Sequence, residues 1–222
     1  MSTTGTTSYV PVFDDLLLEA WERLGLSPTI LTGDVARSAR RSLQLMLLDW
    51  SNQDIQLWQL DRLTLLATIG QGAMFGPPST IDVMEMWVTA QGIDMMLAPM
   101  GRDEWAGIPN KATPGRPTQF WCERRRDAVV LHVWPVPDQA YPLTVNRFRL
   151  PQDVGGLGMS PDVPVLWSEA VASGLAARLA LKYAPARYAM LKADAAEGFD
   201  RANGEDRERV ALRIEPDMRG YR

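Results

Sequence analysis

The residue types that most often carry catalysis are scarce in this sequence. His132 is its only histidine and Cys122 its only cysteine. A histidine-dependent triad needs a nucleophile and an orienting acid nearby, and the sequence contains no nucleophile-elbow pattern. We therefore interpret His132 as a half-buried strand residue and Cys122 as a small packed hydrophobic residue.

Three polar stretches suggest other chemistry. Asp103 and Glu104 resemble a glycosidase acid and base, but that reaction needs two carboxyl groups at a defined separation across a cleft. We interpret Asp103 as a turn residue and Glu104 as a solvated charge. The three arginines at 124–126 precede Asp127 and a strand-like run, which is typical of a hairpin turn, with DNA contact as the minor alternative. Residues 155–158, Gly-Gly-Leu-Gly, lack the Lys-Ser/Thr and the βαβ setting of a phosphate loop, so they indicate a flexible return.

Composition indicates an ordinary globular chain. Its 222 residues are enough for one large or two small domains, and 46% are hydrophobic and 23% charged. A net charge of -4 gives no basic field, so a nucleic-acid partner is not implied. The basic residues are three lysines and twenty arginines. This excess of arginine fits pairing with carboxylates at interfaces, and coding bias explains it equally well.

The sequence also indicates the compartment. A single cysteine excludes an intrachain disulfide and a thiolate metal cluster. With no basic-then-apolar leader, this predicts folding in a reducing cytoplasm. The longest uncharged run, 63–81, is interrupted by glycines and prolines and is not a membrane span.

Helical periodicity occurs at both ends of the chain. A first helix capped by Asp14 or Asp15 should run to about Leu24, where Gly25 ends it, and Thr32 should cap the second. A third helix is expected to have Pro161 in its first turn, and a fourth covers roughly 186–202. The small residues of the third helix predict that it lies deep in a bundle with the two N-terminal helices. Leu45 and Leu48 widen the apolar face of the second helix, which indicates a second partner surface or a helix enclosed within its own domain.

The middle of the chain has the pattern of strands. Five runs are predicted, at 57–68, 80–90, 119–123, 128–134 and 143–150, and they favour an antiparallel sandwich or small barrel. In the run 128–134, apolar and aromatic residues occupy both faces, as expected for a strand packed on both sides or at a subunit contact.

A polar, proline-containing stretch at 93–121 interrupts these strands. Its prolines exclude a central strand or a helix interior, so we expect a long ordered loop. Large apolar residues at its ends, Trp105, Ile108, Phe120 and Trp121, should hold the loop onto a core.

The order of these segments predicts an α+β fold. A flexible arm (1–12) precedes a helical bundle (13–56 and 160–203) that carries a β-rich insertion (57–159), sandwich-like or barrel-like. The charged segment 204–222 is predicted to be an extended docking tail, because Val210, Leu212 and Ile214 alternate and need the edge of a partner to bury their apolar side.

These segments, in this order, resemble the head-to-tail adaptor family of tailed bacteriophages. The likeness covers residues from about 13 to 215, including the small-residue helix from Trp167 and the final extended segment. It is carried by Trp21-Glu22-Arg23-Leu24-Gly25, Leu47-Leu48-Asp49-Trp50-Ser51, Arg102-Asp103-Glu104-Trp105 through Ile108-Pro109, Gly115-Arg116-Pro117-Thr118 and Leu131-His132-Val133-Trp134-Pro135-Val136-Pro137.

The resemblance implies a structural virion protein without enzymatic activity or cofactor, made in the bacterial host cytoplasm. It implies a ring of twelve copies between the portal and the tail tube or nozzle, or the next tail component. The ring is expected to help retain the packaged DNA and to contact it in passing. No membrane partner is expected. The expected portal-docking residues are Val210, Leu212, Ile214 and Arg219. The expected subunit or tail interface comprises Arg102, Trp105, Arg116, Arg124, Arg125 and Arg126.

Two other functions fit the sequence. One is a virion-associated cell-wall hydrolase, which loss of activity in carboxylate variants such as Glu104→Gln would favour. The other is a carbohydrate-binding or protein-binding β module, which binding by a fragment covering 57–150 would favour.

Overall fold

The computed structural model describes residues 4–53 and 57–206. Within this part, N-terminal and C-terminal helices flank a β-rich centre of several sheets, and the α+β prediction is confirmed. The helices are α1 (Phe13–Arg23), α2 (Gly33–Gln53), α3 (Arg102–Gly107), α4 (Ser168–Tyr183) and α5 (Tyr188–Glu205).

The predicted capping residues of the first two helices are confirmed, although α1 begins at Phe13 and so contains Asp14 and Asp15 in its first turn. The Asp15 carboxylate accepts a hydrogen bond from the Val12 backbone N–H at 3.2 Å, which caps the start of α1. Gly25 has φ of +71°, the left-handed conformation that favours glycine just beyond a helix end. Before α2, the Thr32 hydroxyl accepts from the Val35 N–H at 3.5 Å.

The third predicted helix begins later than expected. α4 starts at Ser168, after a short 3-10 helix (Val165–Trp167), so Pro161 lies outside it. A 3-10 turn that begins at Pro185 separates α4 from α5, as predicted. α5 continues to Glu205, so residues 204 and 205 are helical and do not belong to an extended tail. Otherwise the predicted division into domains stays a prediction.

The helices enclose an apolar core. α4 lies deepest, since ten of its sixteen residues are buried, which confirms the interpretation of its small residues. Leu45, however, is exposed, so α2 is not enclosed on all sides. Members of this core include Phe13, Leu17, Trp21, Leu43, Met46, Leu47, Trp50, Trp167, Leu175 and Leu179.

The centre of the chain forms two four-stranded sheets in a sandwich. The first sheet has the order β1-β10-β3-β4, all antiparallel, and the second β2-β8-β7-β5. A further two-stranded pair joins β6 and β9. The strands are β1 (Leu60–Ala67), β2 (Ala73–Phe75), β3 (Thr80–Ala90), β4 (Ile93–Met96), β5 (Ala98–Pro99), β6 (Pro114–Gly115), β7 (Gln119–Arg124), β8 (Val129–Trp134), β9 (Val136–Pro137) and β10 (Tyr141–Arg149).

The inner faces of the two sheets form a second core. Leu131 and Val133 of β8 are fully buried there, while His132 and Trp134 face the other way and are half-buried. The prediction that β8 is packed on both sides is therefore confirmed. Other members of this core are Met86, Val88, Leu97, Phe120, Leu143 and Val145.

The predicted loop at 93–121 is wrong at its start, where β4 (Ile93–Met96) pairs with β3, and in its middle, where α3 forms. The stretch between Met100 and Gly107 contains no proline, so nothing prevents helical backbone there. Glu104, exposed as predicted, also accepts a hydrogen bond from the Gly101 N–H at 2.7 Å and caps α3. Asp103 lies in the first turn of this helix and not in a turn between strands.

Candidate functional site

An aromatic cluster on the outer face of the second sheet holds α3 in place. The Trp105 ring of α3 lies 5.8 Å from the Trp121 ring of β7, and 4.9 Å from the His132 ring of β8. His132 stacks on Trp121 at 4.8 Å, with 20° between the ring planes. Trp121 and His132 are directly paired across β7 and β8, so sheet register positions this cluster. The expectation that aromatic residues hold this segment onto a core is confirmed.

Charged side chains surround the aromatic cluster. The Glu123 carboxylate contacts Arg125 at 2.8 Å and His132 Nε2 at 2.9 Å. Hydrogen bonds from Arg125, then from His132, lower the pKa of Glu123 to about 2. A carboxyl group whose pKa is lower in the folded than in the unfolded chain stabilises the fold when it is ionised. The contribution of Glu123 to stability is therefore complete above about pH 4.5, the pKa of an ordinary glutamate, and is lost as the pH falls towards 2. Nearby, Arg124 of β7 pairs with Asp82 of β3, which links the two sheets.

Beside this cluster, a cavity of about 610 Å³ opens at the edge of the sandwich. Arg102 of α3 and Arg124 of β7 line it, together with Met100 and Phe120. The cavity also contains two carboxylates, Asp82 and Glu123. Pairing with arginine keeps Glu123 ionised, which is the opposite of what a general acid requires. Glu123 therefore does not have the raised pKa of a glycosidase general acid.

Cys122 lies partly buried in the wall of the cavity. Burial, followed by the nearby Asp82 carboxylate, raises its thiol pKa to about 12. The interpretation of Cys122 as a packed residue agrees with its contact with the β core.

A thiol with this pKa should react slowly, because only the thiolate is a good nucleophile. At pH 8 we expect alkylation of Cys122 by iodoacetamide to be at least about 100-fold slower in the folded protein than in the urea-unfolded chain. The rate is measured by mass spectrometry of timed samples. The unfolded chain is the matched control, and equal rates in the two states would contradict the assignment.

The structure brings together some of the predicted interface residues and separates others. Arg102, Trp105, Arg124 and Arg125 surround the aromatic cluster and the cavity. Arg126 lies in the turn between β7 and β8, with its side chain 93% exposed, which confirms the predicted hairpin.

Arg116 lies apart from the other arginines. It precedes β7 at the end opposite the turn and lies near Tyr141, whose pKa is raised by burial and then by the hydrogen bond to Asp138. β7 spans six residues, about 20 Å, so Arg116 does not belong to the same surface patch.

Sequence reasoning missed two members of the site. Glu123 shares a strand face with Trp121, and period-two alternation was a signal that could have identified it. Asp82 gave no local signal, since it comes from the other sheet. The predicted portal-docking residues Val210, Leu212, Ile214 and Arg219 lie outside the described residues.

The described residues include no group of three or more histidine, cysteine, aspartate or glutamate side chains placed to hold a metal ion. In the same part of the chain, no helix is long and apolar enough to cross a membrane.

Comparison with known proteins identifies the family. The sequence matches the SU10 adaptor protein family over residues 12–216, a range that includes every helix and strand of the described residues. A search of curated proteins finds no match. Since the family match covers most of the chain, the protein belongs to the SU10 adaptor family of bacteriophage structural proteins.

Proposed function

We propose that this protein is the head-to-tail adaptor of its phage, a ring of twelve copies that joins the portal to the tail and helps retain the packaged DNA. Family membership implies a place in the virion and interaction with portal and tail components. The ring, its number of copies and the retention of DNA go beyond what family membership implies, and they belong to the proposal. The observation that carries it is the family match over residues 12–216.

The surface chemistry of the sandwich supports a role in contacts between proteins. Arg102 and Arg124 face an open cavity, and the Arg126 side chain is almost fully exposed in the neighbouring turn. Arg124 already pairs with Asp82, so Arg102 and the exposed Arg126 are the groups best placed to meet a partner. Guanidinium groups pair with carboxylates in a planar, two-point geometry, which suits recognition of an acidic protein surface. We assign this surface, with Trp105 and Arg125, to a neighbouring subunit or the next tail component, such as the tail tube or nozzle. Arg116 contributes a separate contact.

The C-terminal segment is assigned to the portal. Val210, Leu212 and Ile214 alternate with polar or small residues, and this pattern predicts a strand that adds to a partner's sheet edge. Arg219 provides a charged contact beyond them.

The test mixes the purified chain with portal rings of the same phage and measures the mass of the complex by light scattering after size-exclusion chromatography. We expect about twelve copies on each portal for the full chain and none for a chain truncated after Asp206. Leu212→Asp should lose binding, whereas Ala211→Asp adds the same charge at the neighbouring, opposite-facing position and should retain it. A full chain that remains monomeric beside the portal would overturn the proposal.

DNA retention has its own measurement. Filled heads that lack the adaptor should lose DNA to added nuclease, and addition of the full chain should protect it. Equal loss with and without the protein would remove DNA retention from the proposed function and leave the joining role intact.

A further inference from the structure

A hollow of about 550 Å³ lies between α2, α4 and α5, on what we call the α2–α5 face. Small residues of α4 form part of its floor, which leaves room for side chains of another molecule. Leu181 stands at its edge and is 58% exposed. Its lining includes Trp50, Gly174, Ala177, Leu181, Lys192 and Phe199.

A second hollow of nearly equal volume, about 530 Å³, lies between α1 and the start of α4, on what we call the α1–α4 face. Leu166 stands at its edge and is 83% exposed, the most exposed of the large hydrophobic residues in the described part of the chain. Its lining includes Tyr9, Pro11, Leu16, Val165, Leu166 and Ala172.

The two hollows lie on opposite sides of α4. An α-helix turns about 100° per residue, so residues nine apart point in opposite directions. Ala172 lines the α1–α4 hollow and Leu181, nine residues later, lines the α2–α5 hollow. Glu169 and Arg178 have the same spacing and also divide between the two hollows. The bundle thus presents two different hollows on opposite faces, each lined by apolar and charged side chains and each with one protruding leucine.

Opposite placement is what a closed ring of many copies requires. In such a ring each subunit contacts its two neighbours through two different surfaces, separated by about 150° for twelve copies. A two-fold dimer instead pairs one surface with itself. The described bundle therefore has the arrangement of a subunit with one neighbour on each side.

The charges favour pairing of unlike faces. The α1–α4 hollow is lined by the carboxylates Asp15, Glu19 and Glu169 and the single guanidinium of Arg23, a net negative set. Two such faces would repel each other. The α2–α5 hollow is balanced, with Arg178 and Lys192 against Asp49 and Asp200. Asp49 and Arg178 pair with each other at 2.9 Å. Among the described residues, Lys192 has no carboxylate partner, and its ammonium lies 6.0 Å from the Tyr188 ring centre.

We propose that the occupant of each hollow is a second copy of this chain: Leu166 of one subunit inserts into the α2–α5 hollow of its neighbour, and the neighbour's Leu181 packs against the α1–α4 hollow. Lys192 then meets the acidic edge of the opposing face. The inference rests on the ring proposed above and names the surfaces that build it. The sandwich surface that contains Arg102, Trp105 and residues 124–126 lies outside both hollows and remains free for the next tail component.

The first test compares two substitutions of exposed residues. In Leu166→Asp, a carboxylate replaces the protruding side chain without removing a buried one, so folding should be unchanged. We expect the variant to lose the complex of about twelve copies on the portal. Ile30→Asp is the matched control, because Ile30 is 55% exposed and lines neither hollow. It should assemble like the unmodified chain, and circular dichroism checks that both variants are folded.

A cross-linking experiment identifies the paired faces. In a Cys122→Ala background, Leu166→Cys is combined with Ala196→Cys, an exposed position in the α2–α5 hollow. A short bis-maleimide should then link assembled copies into a ladder of multimers. Each single-cysteine variant alone should remain uncross-linked, and a mixture of the two should stop at dimers.

The outcomes separate this inference from the proposed function. A ladder, with loss of the ring in Leu166→Asp, supports the paired faces. A normal ring from Leu166→Asp without a ladder overturns them and leaves the adaptor function standing. Dimers formed by Leu166→Cys alone overturn them in favour of a two-fold contact. Copies of Leu166→Asp that still associate but no longer bind the portal would assign this surface to the portal and overturn the inference. If the unmodified chain does not bind the portal, the adaptor function fails. Cross-linking of the double-cysteine variant at high concentration without the portal still tests the paired faces, because a ladder supports them and its absence overturns them.

Discussion

Trp167→Ala should destabilise the protein by about 3–5 kcal/mol, the range for removing a large buried aromatic side chain. Trp167 is 2% exposed. Its ring centre lies 5.5 Å from that of Trp50, 5.7 Å from Phe199 and 6.4 Å from Trp58. These partners come from α2, α5 and the 3-10 turn before β1, so one substitution loosens the contacts of three segments. Domains are typically stable by 5–15 kcal/mol, so the loss is a large fraction of the total.

The measurement is the free energy of unfolding in urea, followed by far-ultraviolet circular dichroism. Leu166→Ala is the matched control, since the neighbouring residue is almost fully exposed and its truncation should change stability by no more than about 0.5 kcal/mol. Trp167→Phe retains an aromatic ring and should lose less than Trp167→Ala. A loss below about 1 kcal/mol in Trp167→Ala would show that the four-ring cluster is not a central part of the core.

Arg147→Ala is expected to cost about 2–4 kcal/mol, because it leaves polar groups without partners inside the sandwich. Arg147 is 9% exposed. Its guanidinium donates to the Asp61 carboxylate at 3.0 and 3.2 Å, to the Pro78 carbonyl at 2.6 Å and to the Thr80 hydroxyl at 3.0 Å. The expected cost is below that of a fully buried pair because the Asp61 side chain is 38% exposed and water can reach it.

A double variant distinguishes lost pairing from lost volume. The variant Asp61→Asn with Arg147→Met removes both charges while keeping a long side chain, so it should recover part of the stability lost in Arg147→Ala. Arg126→Ala serves as the control, because its exposed pair with Asp127 should contribute little. If Arg147→Ala and Arg126→Ala shift the urea midpoint equally, the buried network does not stabilise the sandwich as described.

The features that the sequence determined by itself depend on contacts between residues close together in the chain. The capping of α1 by Asp15 and Gly25, and of α2 by Thr32, follows from hydrogen bonds and backbone preferences within a few residues. The two faces of β8 follow from strand alternation, which is a local property of extended backbone. The density of small residues in α4 was enough to predict a central helix. Residue order along the chain also carried the family resemblance that the match over 12–216 confirmed.

Only the tertiary structure decided the features that join distant segments. Asp82 meets Arg124, and Arg102 reaches the same cavity, because two sheets and α3 are packed together. α3 itself was missed, since six residues give too little periodicity and its Trp105 depends on rings from β7 and β8. The opposite hollows on α4 likewise exist only once α1, α2 and α5 have packed around it. Pairing, burial and surface shape depend on which elements become neighbours in space, and local sequence preferences do not specify that.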